Sequence, residues 1–220
     1  MRKPLTTAIL ATITLSGCTG SGTVSYRATF SDRLNPVHLQ ELALATGRVV
    51  ERRVQSMSGK TKNATVKTET KGAVVTATVD PPALIEPLTS QLTGPFALSL
   101  MRGARAGEKA DLMVQNRGFM NTDVTQDHIE WIQSQETQDK KGAVLITFTE
   151  EGKQKVKAVL SSTRGLNVAL FVRGQIVSSF QNTTGEAREN ILIENIPSFD
   201  LASAFADDVN VGTYATFAKQ

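Results

Sequence analysis

The chain has few of the residues that most metal and catalytic sites require. Among its 220 residues there is one cysteine, Cys18, and there are two histidines, His38 and His128, far apart in the sequence. A single cysteine excludes an internal disulfide, and without a histidine pair or a second cysteine no zinc-binding spacing exists. We therefore expect neither a metal nor another cofactor.

Other signals of catalysis are equally sparse. Gly59-Lys60-Thr61 ends like a phosphate-binding loop, but that loop needs glycine where Val54 stands. We interpret the three residues as a helix terminator. His128 follows Asp127, as a base beside an orienting carboxylate, but adjacent residues rarely face one site. His38 falls in the first turn of a predicted helix, where a surface role is expected. The sequence thus predicts a protein that is not an enzyme.

The N-terminus has the pattern of a secretory signal. A basic start at Arg2 and Lys3 precedes an apolar, threonine-rich segment, 5–15, that is too short to span a bilayer. The segment ends in Leu15-Ser16-Gly17-Cys18, which resembles the lipobox of bacterial lipoproteins. The resemblance implies that 1–17 are a signal peptide, that Cys18 receives a diacylglyceryl thioether and a further acyl chain such as palmitate, and that 18–23 are a tether. An ordinary secretory signal with a chance cysteine is the alternative.

Charge and hydropathy argue against two further classes. No later segment holds about 18 consecutive apolar residues, so no second membrane-spanning segment is expected. The formal net charge is +3 at pH 7, and removal of Arg2 and Lys3 with the signal leaves about +1, which is no argument for nucleic-acid binding. Lys60, Lys62, Lys67 and Lys71 alternate with polar residues and are interpreted as a solvated hairpin.

The clearest structural pattern lies between residues 142 and 181. Residues 143–148 form a β-branched and aromatic run typical of a buried strand. Thr149 is placed to cap a helix, with Glu150 and Glu151 in its first turn. Strands are predicted at 166–172 and 175–181 around the turn Arg173-Gly174.

That strand–helix–hairpin order resembles the first periplasmic domain of SecD, the accessory subunit of the bacterial Sec translocon. The resemblance rests on Leu145-Ile146-Thr147-Phe148-Thr149-Glu150-Glu151-Gly152 and on the hairpin that follows it. The sequence departs from the family at the turn, where Arg173 replaces aspartate, and at Ser179-Phe180, which replaces Ala-Pro. The motif consists mostly of structural residues, so it implies a fold more than an activity.

The first half has the order β-α-β-β-α-β, that of the ferredoxin-like split βαβ unit. Strands are predicted at 24–30, 64–70, 73–79 and 94–101, and helices at 36–57 and 81–92. This order also resembles the base subdomain of SecD, with Arg48 to Arg53 where that family has an arginine-rich helix. A closing segment around Ser198-Phe199-Asp200 resembles the family's last helix, and Asp207-Asp208 are interpreted as the polar end of that helix.

The region 110–138 is the least regular. Residues 112–114 favour a strand, and 129–132 suit a strand or a helix; the SecD resemblance favours a strand. Trp131 and Phe180 are expected in the core.

These patterns predict an α+β fold of two ferredoxin-like, split βαβ-type halves, with antiparallel-rich sheets and helices packed on one face. The expected domains are a signal peptide (1–17), a tether (18–23), a base-like domain (24–101), a linker (102–109) and a head-like domain (110–220).

Two functions remain open. The first is a lipid-anchored module of the bacterial cell envelope, facing the periplasm or exterior, that acts in protein export or binds unfolded secretory polypeptide or the Sec machinery without catalysis. The second is an envelope scaffold or accessory lipoprotein with one membrane-protein partner. An exposed apolar groove would favour the first, and a flat patch of mixed polarity the second. The sequence leaves open which membrane carries the anchor.

Overall fold

The computed structural model describes residues 20–58 and 61–220, and all statements below concern these residues. Twelve strands are found there: β1 (Gly22–Phe30), β2 (Thr61–Glu69), β3 (Gly72–Val79), β4 (Leu98–Gly103), β5 (Leu112–Val114), β6 (Arg117–Thr125), β7 (Ile129–Glu136), β8 (Gly142–Phe148), β9 (Asn167–Val172), β10 (Gln175–Gln181), β11 (Ile191–Ile196) and β12 (Ala215–Lys219). The α-helices are α1 (Leu39–Ser58), α2 (Ile85–Thr93), α3 (Glu150–Ser162) and α4 (Phe199–Tyr214). Short 3-10 turns occupy Pro36–His38, Pro82–Leu84 and Gln126–His128.

The strands form three antiparallel sheets, so the α+β class is confirmed. The first sheet has the order β12-β1-β3-β2, the second β10-β9-β4-β6-β5, and the third β11-β8-β7. The strands predicted at 112–114 and 129–132 are both present, as β5 and β7.

Local signals account for the helix starts. The Asn35 side chain accepts a hydrogen bond from the Val37 amide, and Pro36 opens the turn that leads into α1. The Thr149 hydroxyl accepts from the Gly152 amide at the start of α3, as its sequence predicts. Ser198 caps α4 in the same way, through the Leu201 amide.

Two main cores hold the molecule together. The first lies between the first sheet and helices α1 and α2, and alternate residues of β1 point into it. The second lies between the second and third sheets and helices α3 and α4. A small third core covers the other face of the second sheet, around Met101, Phe119 and Phe171.

The sheet membership of two strands differs from the predicted arrangement. Strand β4, expected to complete the sheet of the first half, pairs instead with β6 and β9 of the second sheet. Its buried residues serve two cores: Leu98 and Leu100 face the second, and Met101 faces the third. Strand β12 takes the vacant place beside β1, where Phe217 enters the first core. The predicted units 24–101 and 110–220 therefore each contribute a strand to the other's sheet.

Two smaller expectations need correction. The predicted tether 18–23 overlaps β1, which begins at Gly22. The turn between β2 and β3, predicted at Lys71-Gly72 between strands 64–70 and 73–79, is centred on Thr70 and Lys71, since Glu69 pairs with Gly72.

Candidate functional site

Strand β7 has its open edge covered by α4. The Asn210 side chain accepts a hydrogen bond from the Ile132 amide (3.0 Å) and donates one to the Ile132 carbonyl (2.8 Å). The Tyr214 hydroxyl lies 2.9 Å from the carbonyl oxygen of Ile129 and 2.6 Å from that of Glu130. These side chains satisfy the backbone groups that a further strand would need.

Most of the other edge strands carry features that discourage pairing with another chain. Strand β2 presents Lys67 and Glu69, and β12 presents Lys219, which forms an ion pair with Glu86. Strand β5 has three residues. Strand β11 contains Glu194 and a break in its register with β8. Charges, short length and irregular register are the usual protections of sheet edges.

Strand β10, at the edge of the second sheet, lacks the charge protection. It spans seven residues, Gln175–Gln181, and none of them is charged. Its large apolar side chains are unusually open to solvent: Ile176 is 36% exposed, Val177 45% and Phe180 38%. The core position expected for Phe180 is therefore wrong, because β10 is the outermost strand. A register break between Ile176 and Ser178 is the only irregularity in its pairing with β9.

The turn before β10 fixes the strand in place. Arg173 and Gly174 have φ values of 50° and 77°, so both central residues adopt the left-handed region that a tight two-residue hairpin requires. The predicted hairpin is thus confirmed. The Arg173 amide also donates to the Ala97 carbonyl (2.8 Å), which ties the turn to the segment before β4.

A groove of about 220 Å³ adjoins the far end of β10. Its apolar lining comes from Leu160, Phe180, Ile191 and Leu192, and the rest of the lining is polar, including Glu186 and Arg188. The Asn182 side chain donates to the Leu160 carbonyl (2.6 Å) and its oxygen accepts from the Gly185 amide (3.1 Å), which fixes the loop on one side. The groove and β10 together form a surface that offers free backbone groups and apolar contacts, which is the chemistry of strand addition.

The two histidines occupy structural positions. The His38 ring stacks on Trp131, with centroids 4.1 Å apart and planes 4° from parallel. Trp131 is 6% exposed, so its expected core position is confirmed. His128 Nδ1 accepts from the Thr125 amide (3.1 Å), whereas the Asp127 carboxylate lies 3.1 Å from Arg33. Asp127 therefore pairs with Arg33.

The prediction that Asp207 and Asp208 form the polar end of the last helix is wrong, because α4 continues to Tyr214. Asp207 is 6% exposed and receives two hydrogen bonds from the Arg48 guanidinium (2.8 and 2.7 Å) and one from Arg52 (3.0 Å). Asp208 lies 3.3 Å from Arg53. The arginine-rich face of α1 thus forms an ion-pair contact with α4, which we call the α1–α4 clamp.

Several predicted features lie outside the described residues. These are Cys18, the signal peptide and Gly59-Lys60; Val54, by contrast, is fully buried in the first core. Among residues 20–58 and 61–220 no cluster of three or more His, Cys, Asp or Glu residues is arranged to hold a metal. No helix in the same ranges combines the length and the apolar character needed to cross a membrane.

Comparison with known proteins gives a likeness of fold only. No protein-family model and no curated protein matches the chain. Among solved structures, SecDF in a super-membrane-facing form is similar with 15% identity and a TM-score of 0.48, over 90% of this chain and 30% of that one. A structure of SecDF as a membrane component that enhances protein export gives 17% and 0.46, over 89% of this chain and 97% of that one.

A third structure, of the translocon-associated membrane protein SecDF from Thermus thermophilus, is 15% identical, with a TM-score of 0.45 over 89% of this chain and 30% of that one. The chain thus spans about a third of the length of two of the three SecDF chains. These identities and TM-scores establish neither a family nor a function.

Proposed function

We propose that this protein is a lipid-anchored module of the bacterial cell envelope that binds extended polypeptide, without catalysis, by adding it as a strand to β10. The observation that carries the proposal is the long, uncharged and solvent-exposed edge of β10. An extended chain gains main-chain hydrogen bonds there, and its side chains contact Ile176 on one face of the sheet and Phe180 on the other, because the register break places these two residues on opposite faces. The adjoining groove is lined by apolar and polar side chains alike, so the exposed edge of β10, and not the groove, is what favours this function over a scaffold.

The polypeptide that suits such a site is unfolded. Strand addition selects backbone rather than sequence, so a secretory protein that has not folded, or a segment of the Sec machinery, is the expected partner. Affinity is expected to be low, because the bound segment loses conformational freedom while gaining a few hydrogen bonds. The SecD-like sequence pattern at 145–152 agrees with a role in protein export.

A charge placed on β10 tests the proposal. In Val177→Lys the ammonium must lie beside the added strand and lose part of its hydration, so we expect binding to weaken about tenfold or more, which is about 1.4 kcal/mol. The measurement is a titration of a labelled, reduced and unfolded secretory protein against the chain from Thr19 onward. Thr65→Lys is the matched control, since it adds the same charge to the already charged edge strand β2.

Three results would contradict the proposal. The first is no detectable binding of unfolded polypeptide by the folded wild-type protein up to the millimolar range. The second is equal weakening of polypeptide binding by Val177→Lys and Thr65→Lys, and the third is an unchanged affinity in Val177→Lys. If unfolded polypeptide does not bind but crosslinking in the native envelope captures one membrane protein, the scaffold function takes its place.

The lipid anchor is a separate part of the proposal. It rests on Leu15-Ser16-Gly17-Cys18, and each buried methylene of an acyl chain contributes about 0.8 kcal/mol, so two or more chains give stable attachment. Cys18→Ser should abolish acyl labelling and release the protein into the soluble fraction. If Cys18→Ser stays in the membrane and the wild type is never processed, the lipid anchor is refuted. That result would leave the proposal of polypeptide binding at β10 unaffected.

A further inference from the structure

A second concave site lies away from the open edge of β10. It is formed by the C-terminal ends of α2 and α4 and by the turn between β9 and β10, which lies close to both helix ends. It encloses about 180 Å³. Three charged residues line it: Arg53 of α1, Arg173 of the turn and Asp208 of α4. Gln91, Thr93 and Thr216 add polar side chains, and the remaining lining residues are apolar or glycine.

Arg173 is held at this site but has no acid of its own. Its guanidinium carbon lies 6.0 Å from the centroid of the Phe96 ring, within the range of a cation–π contact. Among residues 20–58 and 61–220 no ion pair or hydrogen bond to its guanidinium is found, although its backbone amide is bound to Ala97. Burial lowers the pKa of Arg173, repulsion from Arg53 lowers it further, and Asp208 partly opposes both.

The surface that carries Arg173 is rigid. A Cβ atom at Gly212 would lie 2.2 Å from Phe96 Cδ2, so the ring rests directly on the backbone of α4. The Arg173 turn is fixed by its amide hydrogen bond and its positive φ values. The backbone of Arg173 is therefore fixed beside the pocket, whereas its guanidinium, which contacts the Phe96 ring, still loses side-chain freedom when a ligand binds.

Positive charge exceeds negative charge around this pocket. Asp208 serves two arginines at once, with Arg53 at 3.3 Å and Arg52 at 3.6 Å. Arg52 also binds Asp207, which is already engaged by Arg48. The pocket lining itself carries two guanidinium groups, of Arg53 and Arg173, and one carboxylate, of Asp208.

We propose that this pocket binds a small oxyanion between Arg53 and Arg173, the group shared by inorganic phosphate and by the phosphate of a lipid headgroup. Guanidinium groups bind phosphate oxygens through two parallel hydrogen bonds, and a pair of them around one anion uses the charge that the aspartates leave uncompensated. The small volume suits one such group. The site is distinct from β10's edge and does not depend on polypeptide binding.

Inorganic phosphate is the probe for the site. The full chain, purified in a phosphorus-free sugar detergent, is titrated with phosphate at constant ionic strength, and the ³¹P line width of phosphate reports the bound fraction. We expect saturable broadening for the wild type and at least about a tenfold weaker affinity for Arg173→Gln, since one of two charged donors is lost. Arg173→Lys should recover part of the affinity through its charge but lack the paired hydrogen bonds.

The matched control is Arg188→Gln, which removes the same charge from an arginine whose side chain is 64% exposed and paired with Glu186. Its phosphate affinity should equal that of the wild type, and thermal unfolding should show all three variants folded. Non-saturable broadening, equal losses in Arg173→Gln and Arg188→Gln, or full affinity in Arg173→Gln would overturn the proposal.

Vesicles identify the source of the anion. If vesicles containing phosphatidylglycerol capture the Cys18→Ser chain in an Arg173-dependent manner and phosphate competes, the ligand is a lipid headgroup. If phosphate binds but the vesicles do not, the ligand is a free anion. Both outcomes support the oxyanion site.

Discussion

The α1–α4 clamp gives the most quantitative test of the structure. In Asp207→Asn the side chain keeps its shape but loses its charge, and its amide group then faces the donors of Arg48 or Arg52. Removing one partner of a fully buried ion pair costs about 3–5 kcal/mol. The Arg48 and Arg52 side chains are 43% and 30% exposed and regain hydration, so we expect a smaller loss of about 2–3 kcal/mol.

Urea denaturation measures that loss. With a slope of about 2–3 kcal/mol per molar for a chain of this size, the midpoint should fall by about 1 M. Asp32→Asn is the control for the change in charge, because Asp32 and Lys71 pair at 2.9 Å with side chains 87% and 75% exposed. That substitution should leave the urea midpoint essentially unchanged. A loss in Asp207→Asn no larger than in Asp32→Asn would refute the role assigned to the clamp.

Three further outcomes are expected. Asn210→Ala leaves the buried amide and carbonyl of β7 without partners, and should lower the free energy of unfolding by about 2–4 kcal/mol in the same assay. A change below about 0.5 kcal/mol would contradict the role assigned to Asn210. Gly212→Ala forces the Phe96 ring aside, which should cost about 1–3 kcal/mol of stability, but it also improves helix propensity by about 1 kcal/mol. The free energy of unfolding should therefore fall by about 1 kcal/mol, and an increase would contradict the close contact. Arg102 lowers the pKa of Glu108 to about 2. The ionised Glu108 carboxylate therefore stabilises the fold above its unfolded pKa, and this contribution is lost as the pH falls toward 2. NMR titration of Arg102→Gln should show the pKa of Glu108 rising toward its ordinary value.

Local structure could be predicted well from the sequence because it depends on neighbouring residues. Thr149 caps α3, Asn35-Pro36 opens the first helical turn, and the Arg173-Gly174 turn forms as its spacing indicates. Each of these depends on hydrogen bonds or dihedral angles within a few residues. The same is true of the alternation that identifies most strands.

Sheet membership could not be predicted, because it depends on partners far away in the chain. Strand β4 is apolar enough for either sheet, and only the neighbours supplied by β6 and β9 decide. Asp207-Asp208 look like a solvated helix end until α1 is placed against them. Phe180 looks like a core residue until β10 is known to be outermost. A usable signal existed for the clamp. The three arginines within 48–53 need acidic partners, and Asp207-Asp208 are one of the two adjacent acidic pairs in the predicted helices, beside Glu150-Glu151.

The position of β12 has a consequence for how the chain folds. The first sheet is not complete until Ala215–Lys219 pairs with β1, which is the first of the described strands along the chain. During synthesis or export from the N-terminus, one edge of β1 therefore stays unpaired until residues 31–214 and then β12 have emerged. Pairings between such distant segments carry a large loop-closure cost and are slow to form. A chain that lacks β12 is thus itself a polypeptide with an open strand edge.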